Sequence, residues 1–562
     1  MITSHNFFPK KVQKTPKKCR LNSFFHYQVN LNWVLIVTTL YFLATANFSF
    51  FEQVLRIYPF RDNVGFMLSI IGVLFGLLWL ILQLFCYRVV AKPVLISFIF
   101  IAAICGYFTD TYGTVFDRNM LVNSLQTDQA EAMGLMSLSF LLRVFFLGVL
   151  PAIIIAKLTI SKVPLKKALL QRGVTSLLAI TLIVICLLPF GDQYATFFRA
   201  HKIVRSYVNP ITPIYSAIKL TSDLVEDAQR ANTLTPHAVD AKRLAATSAN
   251  SNKPKLLVFV VGETVRADHI NLNGYARDTM PRLANTPNIY SFNNATSCGT
   301  STAYSVPCMF SYAGRDDFDI DTAEFHENVL DTLNKQGVKV VWRDNNSSSK
   351  GVADRVTFED YKTSATNPNC DVECRDVGML SGFDKLINPN TSDKANKDTL
   401  IVLHQMGNHG PAYFQRYPKT FEKFKPVCPT NELAKCSTES VVNGYDNAIY
   451  YTDYFLANVI ATLKSYEKNY DVTMIYVSDH GESLGENNIY LHGLPYTVAP
   501  VAQKHIPVII WSPDNNHIDN QQLSQAINQP VSHDLITPTL LEFFGIVTDE
   551  VKGAPTFFKR LN

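Results

Sequence analysis

Five apolar runs constrain the fold of this chain more than any other feature. Each is long and apolar enough to cross the hydrocarbon core of a bilayer, which takes a helix of roughly 20 residues. The runs lie near Trp33–Phe50, Val64–Cys86, Val89–Phe108, Leu135–Ala156 and Val174–Phe190. Within the first run, Ala44-Thr45-Ala46 is similar to a signal-peptide cleavage site. Because a long basic region precedes that run and four more runs follow it, we expect an uncleaved first span.

The distribution of lysine and arginine predicts the orientation of these spans, since short cytoplasmic loops are enriched in both residues. The basic residues on one side are Lys10, Lys11, Lys14, Lys17, Lys18, Arg20, Arg88, Lys92, Lys157, Lys162, Lys166, Lys167 and Arg172. The opposite loops contain Arg56, Arg61 and Arg118. The N-terminal tail is therefore predicted to be cytoplasmic, and an odd number of spans places the chain after Phe190 outside the cytoplasm.

Six of the ten cysteines follow the last span as close neighbours. They are Cys298 and Cys308, Cys370 and Cys374, and Cys428 and Cys436. An even count in an oxidising compartment is typical of disulfides, although six cysteines allow 15 pairings. The short spacing within each pair favours three local disulfides. We expect the oxidising compartment to be a periplasm. A zinc ribbon is the alternative, and the wide gaps between the pairs argue against it. No pairing is expected for Cys19, Cys86, Cys105 and Cys186, which lie in the tail or the spans.

Composition changes along the chain and indicates several domains. A length of 562 residues exceeds what one hydrophobic core usually supports. The net charge of +4, with 17% charged residues, gives no indication of a nucleic-acid partner. We predict an N-terminal tail with a five-span membrane domain over 1–195, a linker with interfacial helices over 196–254, and a soluble domain over 255–562. In the linker, Ile211–Leu224 has the pattern of an amphipathic helix on the membrane surface.

Short apolar runs in the soluble region predict five β-strands. They are Lys255–Glu263, Val338–Trp342, Thr399–Leu403, Val472–Val477 and Ile506–Trp511. Helix-like stretches such as Glu327–Gln336 and Asp446–Tyr466 lie between them. Continuous apolar strands that alternate with helices are typical of a parallel sheet covered on both faces.

Carboxylates and imidazoles follow four of these strands, where parallel sheets bind their ligands. The residues are Glu263 and Thr264, Arg343 to Asn346 with Lys350, His404 with His409, and Asp479, His480 and Glu482 with His492. Oxygen and nitrogen ligands of this kind suit zinc. A single histidine in such a position is often a structural hydrogen bonder, but the whole set predicts a divalent-cation site at one edge of the sheet.

The segment SCGTSTAYSVPC, Ser297–Cys308, carries several hydroxyl groups between two cysteines. If the cysteines are bridged, the segment is a rigid turn, and a helix beginning near Ser301 or Thr302 would offer free N–H groups to phosphate oxygens. A divalent cation makes a serine or threonine hydroxyl usable as a nucleophile. We predict such a nucleophile here; a closed loop without chemistry is the alternative. Spacing alone does not choose among Thr300, Ser301, Thr302 and Ser305.

With these motifs, the chain resembles the membrane phosphoethanolamine transferases that modify lipid A, a family that includes the mobile colistin-resistance enzymes. The resemblance covers essentially the whole length. It rests on GETVRADHINLNGYARDTMP, SCGTSTAYSVPCMFS, WRDNNSSSKGV, HQMGNHGPAY, NELAKC and YVSDHGESLGENNIYLHG. It implies a multi-pass protein of the inner membrane of a Gram-negative bacterium. Its five-helix transmembrane domain would carry a periplasmic α/β domain of alkaline phosphatase or sulfatase-like fold.

The resemblance also implies the site. Thr302 is the implied nucleophile and, with Glu263, Asp479 and His480, a ligand of one tightly bound Zn²⁺. Three further residues, which match positions for substrate phosphate, a second zinc or acid–base chemistry, are Lys350, His409 and His492.

The implied reaction transfers phosphoethanolamine from phosphatidylethanolamine to a lipid A phosphate. It passes through a phosphothreonine, releases diacylglycerol, and gives resistance to polymyxin and other cationic peptides. The implied partners are both lipids and the bilayer, without nucleic acid, and we expect a monomer.

The outer loop between the third and fourth spans is a further candidate. Asn123, Thr127 and Glu131 are spaced so that one continuous helix would align them on a polar face. The resemblance favours a contact with the ethanolamine headgroup, and a solvated helix face is the alternative. Arg143, inside the fourth span, is expected either to hold a lipid phosphate or, more simply, to snorkel to the interface.

Three other functions remain open from the sequence. A phosphoglycerol transferase of the lipoteichoic-acid type also has spans and a threonine nucleophile, but the cysteine pairs and the GNHGP and LHG segments favour the phosphoethanolamine branch. A periplasmic phosphatase or sulfatase on the same fold would not need five spans. A non-catalytic membrane sensor is opposed by the intact set of polar residues.

Overall fold

The computed structural model describes residues 28–127, 129–230, 234–244, 253–387, 397–513 and 518–558. Over these ranges a helical domain precedes an α/β domain built on one large sheet. The basic N-terminal tail with Cys19, and residues 245–252 of the predicted linker, lie outside the described residues.

The apolar runs form long helices. The helical domain consists of α1 Leu31–Ala46, α2 Phe48–Ile57, α3 Val64–Phe85, α4 Ala91–Tyr112, α5 Arg118–Gln126, α6 Gln129–Leu135, α7 Leu138–Lys157, α8 Leu165–Ala200 and α9 Ile211–Arg230. Four of these helices, α3, α4, α7 and α8, are long and apolar enough to cross a membrane. The bent pair of α1 and α2 adds a fifth span if the two cross together. The described chain therefore holds four or five candidate spans.

A bend of 63° separates α1 from α2 at Asn47. The Asn47 amide Nδ2 donates to the carbonyl oxygens of Phe42 and Asn209, at 2.9 and 2.8 Å. Its Oδ1 accepts from the Asn209 N–H at 2.9 Å. One buried side chain thus replaces helical hydrogen bonds at the break, as broken helices at membrane depth require. The same contacts join the break to the segment before α9.

A partly buried ion pair joins α4 to α7. Arg143 Nη2 donates to Asp110 Oδ2 at 2.6 Å and to the Thr45 carbonyl at 3.2 Å. Asp110 Oδ1 accepts from the backbone N–H and the hydroxyl of Ser49. The Arg143 guanidinium is therefore paired with a carboxylate on the neighbouring helix inside the protein, a contact that neither expectation for Arg143 included.

The α/β domain contains an eight-stranded sheet. Its strands are β1 Lys255–Gly262, β2 Ile289–Thr296, β3 Lys339–Asp344, β4 Thr357–Asp360, β5 Thr399–His404, β6 Asp471–Ser478, β7 His505–Trp511 and β8 Val531–Ser532. In space the order is β8-β2-β7-β6-β1-β5-β3-β4.

The sheet is mixed, which corrects the prediction of a parallel sheet. Strand β7 runs antiparallel to both β2 and β6, whereas β1, β3, β5 and β6 are parallel to their neighbours in that group. A parallel return needs a crossover of a dozen or more residues, usually a helix. The chain between β6 and β7 forms only short turns and the small hairpin of Ser483–Leu484 with Tyr490–Leu491. It therefore returns in the opposite direction.

Helices cover both faces of the sheet. They are α10 Pro281–Ala284, α11 Thr302–Phe310, α12 Val329–Lys335, α13 Phe383–Ile387, α14 Thr438–Lys464, α15 Asn520–Ala526 and α16 Ile536–Phe543. Successive residues of β1 point to opposite faces. Leu257 and Phe259 pack with α11, α12 and α16, and Leu256 and Val258 pack with α14. Burial on both faces explains why β1 is an unbroken apolar run.

Three disulfides form as predicted, between Cys298 and Cys308, Cys370 and Cys374, and Cys428 and Cys436. Among the described cysteines, Cys86, Cys105 and Cys186 remain thiols.

The loop closed by Cys428 and Cys436 contacts the helical domain. The Asn431 amide donates to the Gly134 carbonyl at 2.6 Å, and the Tyr112 hydroxyl donates to the Asn431 carbonyl at 3.2 Å. Arg118 of α5 pairs with Asp223 of α9 and with Asp321 of the α/β domain. These contacts hold the sheet edge over the outer loops of the helical domain.

The Asp110–Arg143 pair predicts a stability effect. Arg143→Met should lower the free energy of unfolding in detergent by about 3 kcal/mol, because a partly buried carboxylate loses its cation. Adding Asp110→Asn to that variant should restore part of the loss. Melting temperatures check this, with Lys552→Met in the exposed Lys552–Asp549 pair as a control that should change little. An equal effect of the two single substitutions would contradict the prediction.

Candidate functional site

Four side chains from three elements meet at the carboxyl edge of the sheet. Glu263 follows β1, and Asp479 and His480 follow β6, which pairs with β1 in register up to Gly262 and Ser478. Thr302 is the first residue of α11. Glu263, Asp479 and His480 are fully buried, and Thr302 is buried beside them. One ligand atom from each of Glu263, Asp479 and His480 lies within 4.8 Å of the others.

The distances within this cluster are short. Thr302 Oγ1 donates to Glu263 Oε2 at 3.1 Å and lies 3.3 Å from His480 Nε2. His480 Nε2 lies 3.3 Å from Asp479 Oδ2 and 3.7 Å from Glu263 Oε1. Four donor atoms therefore surround one small volume. This arrangement agrees with the expectation of a cation site at the strand ends.

The protonation state of His480 shows that the small volume between the four donor atoms is lined by hydrogen-bond acceptors. Its Nδ1 lies 2.9 Å from the Gly481 carbonyl, so Nδ1 carries the hydrogen and Nε2 presents a lone pair. Burial lowers the pKa of His480 to about 3, so the ring is neutral at physiological pH. That lone pair faces the oxygens of two buried carboxylates. Such a set of acceptors is costly without a positive charge between them.

Neighbouring groups orient these acceptors. The backbone N–H groups of Thr264 and His480 both donate to Asp479 Oδ1. Asp479 Oδ2 accepts no hydrogen bond of good geometry from the described residues. The amide of Asn346 donates to Glu263 Oε2 at 2.8 Å and to the Gln405 carbonyl at 2.7 Å. Two carboxylates, one imidazole and one hydroxyl fit the four-coordinate oxygen and nitrogen preference of a zinc ion.

The loop before α11 distinguishes among the four candidate hydroxyls. Thr300 Oγ1 donates to the Leu494 carbonyl at 2.6 Å. Ser305 Oγ accepts from the Gly299 N–H at 3.0 Å. Ser301 is the residue that precedes the helix, and its side chain makes no capping hydrogen bond. Among these four hydroxyls, Thr302 is the one bonded to Glu263. The geometry therefore singles out Thr302.

Two further histidines stand beside the cluster. The His492 ring lies 4.2 Å from the His480 ring, between centroids, and its Nδ1 is 3.0 Å from Glu482 Oε2. The His409 ring lies 5.9 Å from the His492 ring. His409 also lines a cavity of about 740 Å³ that reaches Met133 and Met136 of the helical domain. His492 therefore lies beside the buried cluster, and His409 lies between His492 and this cavity.

Lys350 lies farther toward the helical domain. Its Nζ donates to the Gln126 carbonyl at the end of α5, at 3.3 Å. Its backbone has a φ of 51°, which is uncommon for a residue with a side chain. Lys350 therefore contacts the outer loop that also contains Asn123 and Thr127.

The outer loop corrects one prediction. Asn123, Thr127 and Glu131 do not lie on one continuous helix, because α5 ends at Gln126 and α6 begins at Gln129. Thr127 is extended, and its hydroxyl donates to the Asn123 carbonyl at 2.9 Å. A threonine hydroxyl that competes for helical carbonyls favours such a break. The Glu131 side chain lies outside the described part of the structure.

His533 is a buried residue near the site that the sequence did not indicate. It follows β8, a strand of two residues that is too short to recognise from an apolar pattern. Its ring is 1% exposed, and burial lowers the pKa of His533 to about 4. Asn346, in contrast, lies in a polar run after a predicted strand. The sequence gave no reason to single out its side chain as one that contacts the cluster.

Comparisons with known proteins find similarity in both the helical domain and the α/β domain. Residues 255–546 match the Sulfatase family model, and residues 74–224 match the model of Phosphoethanolamine transferase EptA/EptB. The chain is 49% identical to phosphatidylethanolamine transferase Mcr-2 of Escherichia coli over 545 residues, 96% of this chain and 99% of that protein. It is 37% identical to phosphoethanolamine transferase EptA of Escherichia coli strain K12 over 535 residues, 94% and 96% of the two chains.

A solved structure is also similar over nearly the whole length. It is the integral membrane protein lipooligosaccharide phosphoethanolamine transferase A (EptA) from Neisseria meningitidis. The TM-score is 0.87 at 34% identity, and the alignment covers 93% of this chain and 97% of that chain. The similarity therefore includes the helical domain as well as the α/β domain.

The neutral buried histidines predict a pH dependence. His480 and His533 have pKa values below that of an unfolded histidine, about 6.5. As the pH falls below 6.5, the unfolded chain binds protons that the folded chain does not. Stability of the metal-free protein should therefore fall toward pH 4, by up to roughly 1.4 kcal/mol per pH unit for each ring. Melting temperatures between pH 4.5 and 7 check this, and His533→Asn should flatten the curve. An unchanged slope in that variant would refute the assignment of His533 as a neutral ring.

Proposed function

The chain belongs to the family of phosphoethanolamine transferases that includes Mcr-1, Mcr-2 and EptA, and we propose on this premise that it transfers phosphoethanolamine from phosphatidylethanolamine to a phosphate group of lipid A. The observation that carries this proposal is the Thr302 hydroxyl, hydrogen-bonded to Glu263 within a buried set of cation ligands. The membrane-side cavity beside His409 supports lipid substrates.

We propose that the cluster holds one Zn²⁺ through Glu263, Asp479, His480 and Thr302. When bound, the ion supplies Lewis-acid chemistry, since it lowers the pKa of a coordinated hydroxyl and stabilises charge on phosphoryl oxygens. His409 and His492 are proposed either to hold a second ion when substrate brings one or, without that ion, to supply the proton for the leaving group.

In the first half of the reaction, Thr302 forms a bond to phosphorus. Its Oγ attacks the phosphorus of phosphatidylethanolamine, and its proton passes along the existing hydrogen bond to Glu263 Oε2. The bond between phosphorus and the diacylglycerol oxygen breaks, and that oxygen takes a proton from the imidazole of His409 or His492. The product is a phosphothreonine that carries ethanolamine. Free N–H groups at the start of α11 favour the negative charge that develops there.

The second half regenerates the enzyme. An oxygen of a lipid A phosphate attacks the phosphothreonine, the bond from phosphorus to Thr302 Oγ breaks, and Oγ recovers its proton from Glu263. The proton of the acceptor phosphate hydroxyl passes to the imidazole of His409 or His492 that protonated diacylglycerol. Lys350 is proposed to bind the substrate phosphate, and Asn123, Thr127 and Glu131 to contact the ethanolamine ammonium. The new ammonium on lipid A weakens the binding of polymyxin and other cationic peptides.

The arrangement of domains supports a membrane reaction. Donor and acceptor are both lipids, so a sheet edge held over the outer loops makes their meeting with Thr302 effectively intramolecular. We propose the regions 1–195, 196–254 and 255–562 as membrane domain, linker and periplasmic catalytic domain of an inner-membrane protein. The basic loops on the far side and the three disulfides support this orientation. All proposed groups come from one chain, which agrees with a monomer.

Thr302→Ala tests the function. The variant should lose transfer by at least about 1,000-fold, because no other hydroxyl occupies that position. Mass spectrometry of lipid A from cells expressing each variant measures the added phosphoethanolamine, and the peptide containing Cys298 should carry the covalent adduct in the wild type alone. Thr300→Ala, which alters a hydroxyl of the same loop, should keep most of the activity. Wild-type transfer by Thr302→Ala, or release of phosphoethanolamine to water without modified lipid, would overturn the proposal.

A further inference from the structure

The two parts of the catalytic cluster come from strands that are not neighbours. Thr302 follows β2 through the loop Ser297–Ser301, whereas Asp479 and His480 follow β6. Strand β7 lies between β2 and β6 in the sheet. No ladder hydrogen bond therefore joins the loop of the proposed nucleophile to the strand end of the proposed ligands. Their separation must be set by something else.

The ladder between β6 and β7 stops just below the site. Its last pair is Val477 with Val508. In the continued antiparallel register, Pro507 lies opposite Ser478, and proline has no N–H to donate. The pairing of β7 with β2 is also irregular between Ile506 and Val508. The hydrogen bonding between β6 and β7 is therefore interrupted next to Ser478, and it resumes at Gly481, whose N–H donates to the Gln503 carbonyl at 3.0 Å. On the other side, the Ser297 N–H donates to the Lys504 carbonyl at 2.9 Å, so the two halves of the site are joined there only through the intervening segment.

The His533 ring forms a direct bridge between the two halves beside this interruption. The Cys298 N–H donates to His533 Nδ1 at 3.0 Å. His533 Nε2 lies 3.0 Å from the Ser478 carbonyl. Since Nδ1 accepts a hydrogen bond, the hydrogen of the neutral ring is on Nε2, which donates to Ser478. The parallel pairing of β8 with the end of β2, Ser532 with Thr296, brings the ring to this position.

Each end of the bridge is rigidly connected to the site. Cys298 is bonded to Cys308 in α11, so the loop and the helix of Thr302 move together. Ser478 directly precedes Asp479, and its hydroxyl donates to the His480 carbonyl at 2.9 Å. A shift of either backbone atom bonded by His533 therefore changes the 3.3 Å distance between Thr302 Oγ1 and His480 Nε2.

We propose that His533 is a positioning residue that sets the distance between Thr302 and the ligands Asp479 and His480 by bridging the two backbone segments that carry them. Both ring nitrogens are used within the protein, so His533 neither contacts substrate nor transfers a proton. This inference rests on the proposed role of Thr302. It concerns the rate of the first bond-forming step and not the binding of either lipid.

Two conservative substitutions each remove one of the two hydrogen bonds of His533 and keep the other. In His533→Asn, the amide oxygen takes the place of Nδ1 and keeps the Cys298 bond. In His533→Gln, the amide nitrogen takes the place of Nε2 and keeps the Ser478 bond. His533→Phe removes both bonds at similar volume. His269→Gln is the matched control, since His269 is also buried and hydrogen-bonded, to Asp446 at 2.8 Å, but lies outside the bridge.

The experiment uses the full chain in detergent with its metal, and labelled phosphatidylethanolamine as donor. Release of labelled diacylglycerol gives kcat and KM, and elemental analysis gives the metal content. The expected kcat falls about 10-fold in His533→Asn and in His533→Gln and about 100-fold in His533→Phe, with KM within about two-fold of the wild type. Metal content is expected to be unchanged. His269→Gln should lower the melting temperature without lowering kcat.

Three results would overturn the inference. They are wild-type kcat in both conservative variants, a rise in KM in place of a fall in kcat, and an equal fall in kcat in His269→Gln. Thr302→Ala is measured in parallel. Activity in Thr302→Ala would refute the proposed function itself, whereas an inactive Thr302→Ala with fully active His533 variants would refute the bridge alone.

Discussion

The structure depends on one electrostatic requirement, which is that two buried carboxylates and a neutral imidazole face the same small volume. The Glu263 and Asp479 oxygens and His480 Nε2 are all acceptors, and none of these side chains is exposed. A positive charge between these acceptors would offset the cost of burying them together. The register of β1 with β6 creates the convergence, because it places Glu263 beside Asp479. The Thr302 hydroxyl then lies where a bound cation would increase its acidity.

On the proposed function, the helical domain places this site next to its lipid substrates. Asn431, Asp321 and Lys350 of the α/β domain contact the helical domain, so the carboxyl edge of the sheet faces that domain. His409 lines the cavity between the two domains. A soluble hydrolase on the same fold would gain nothing from these contacts.

Much of this account follows from the sequence, because strong local patterns encode it. Both-face burial makes β1 and β6 recognisable, and the strand ends then indicate Glu263, Asp479 and His480. What the sequence missed depends on tertiary contacts. Arg143 pairs with Asp110 on another helix, and a threonine hydroxyl breaks the helix that would have aligned Asn123, Thr127 and Glu131. The antiparallel direction of β7 depends on a connection without a crossover helix, and β8 is too short for a pattern.

X-ray absorption spectroscopy at the zinc edge of the full-length protein tests the central claim most directly. The account predicts about one zinc per chain with nitrogen and oxygen ligands alone, among them a single imidazole at roughly 2.0–2.1 Å. Glu263→Gln should change that spectrum, and the exposed substitution Lys552→Met should leave it unchanged. Protein that folds and transfers phosphoethanolamine without a bound metal would contradict the account, as would sulfur among the ligands.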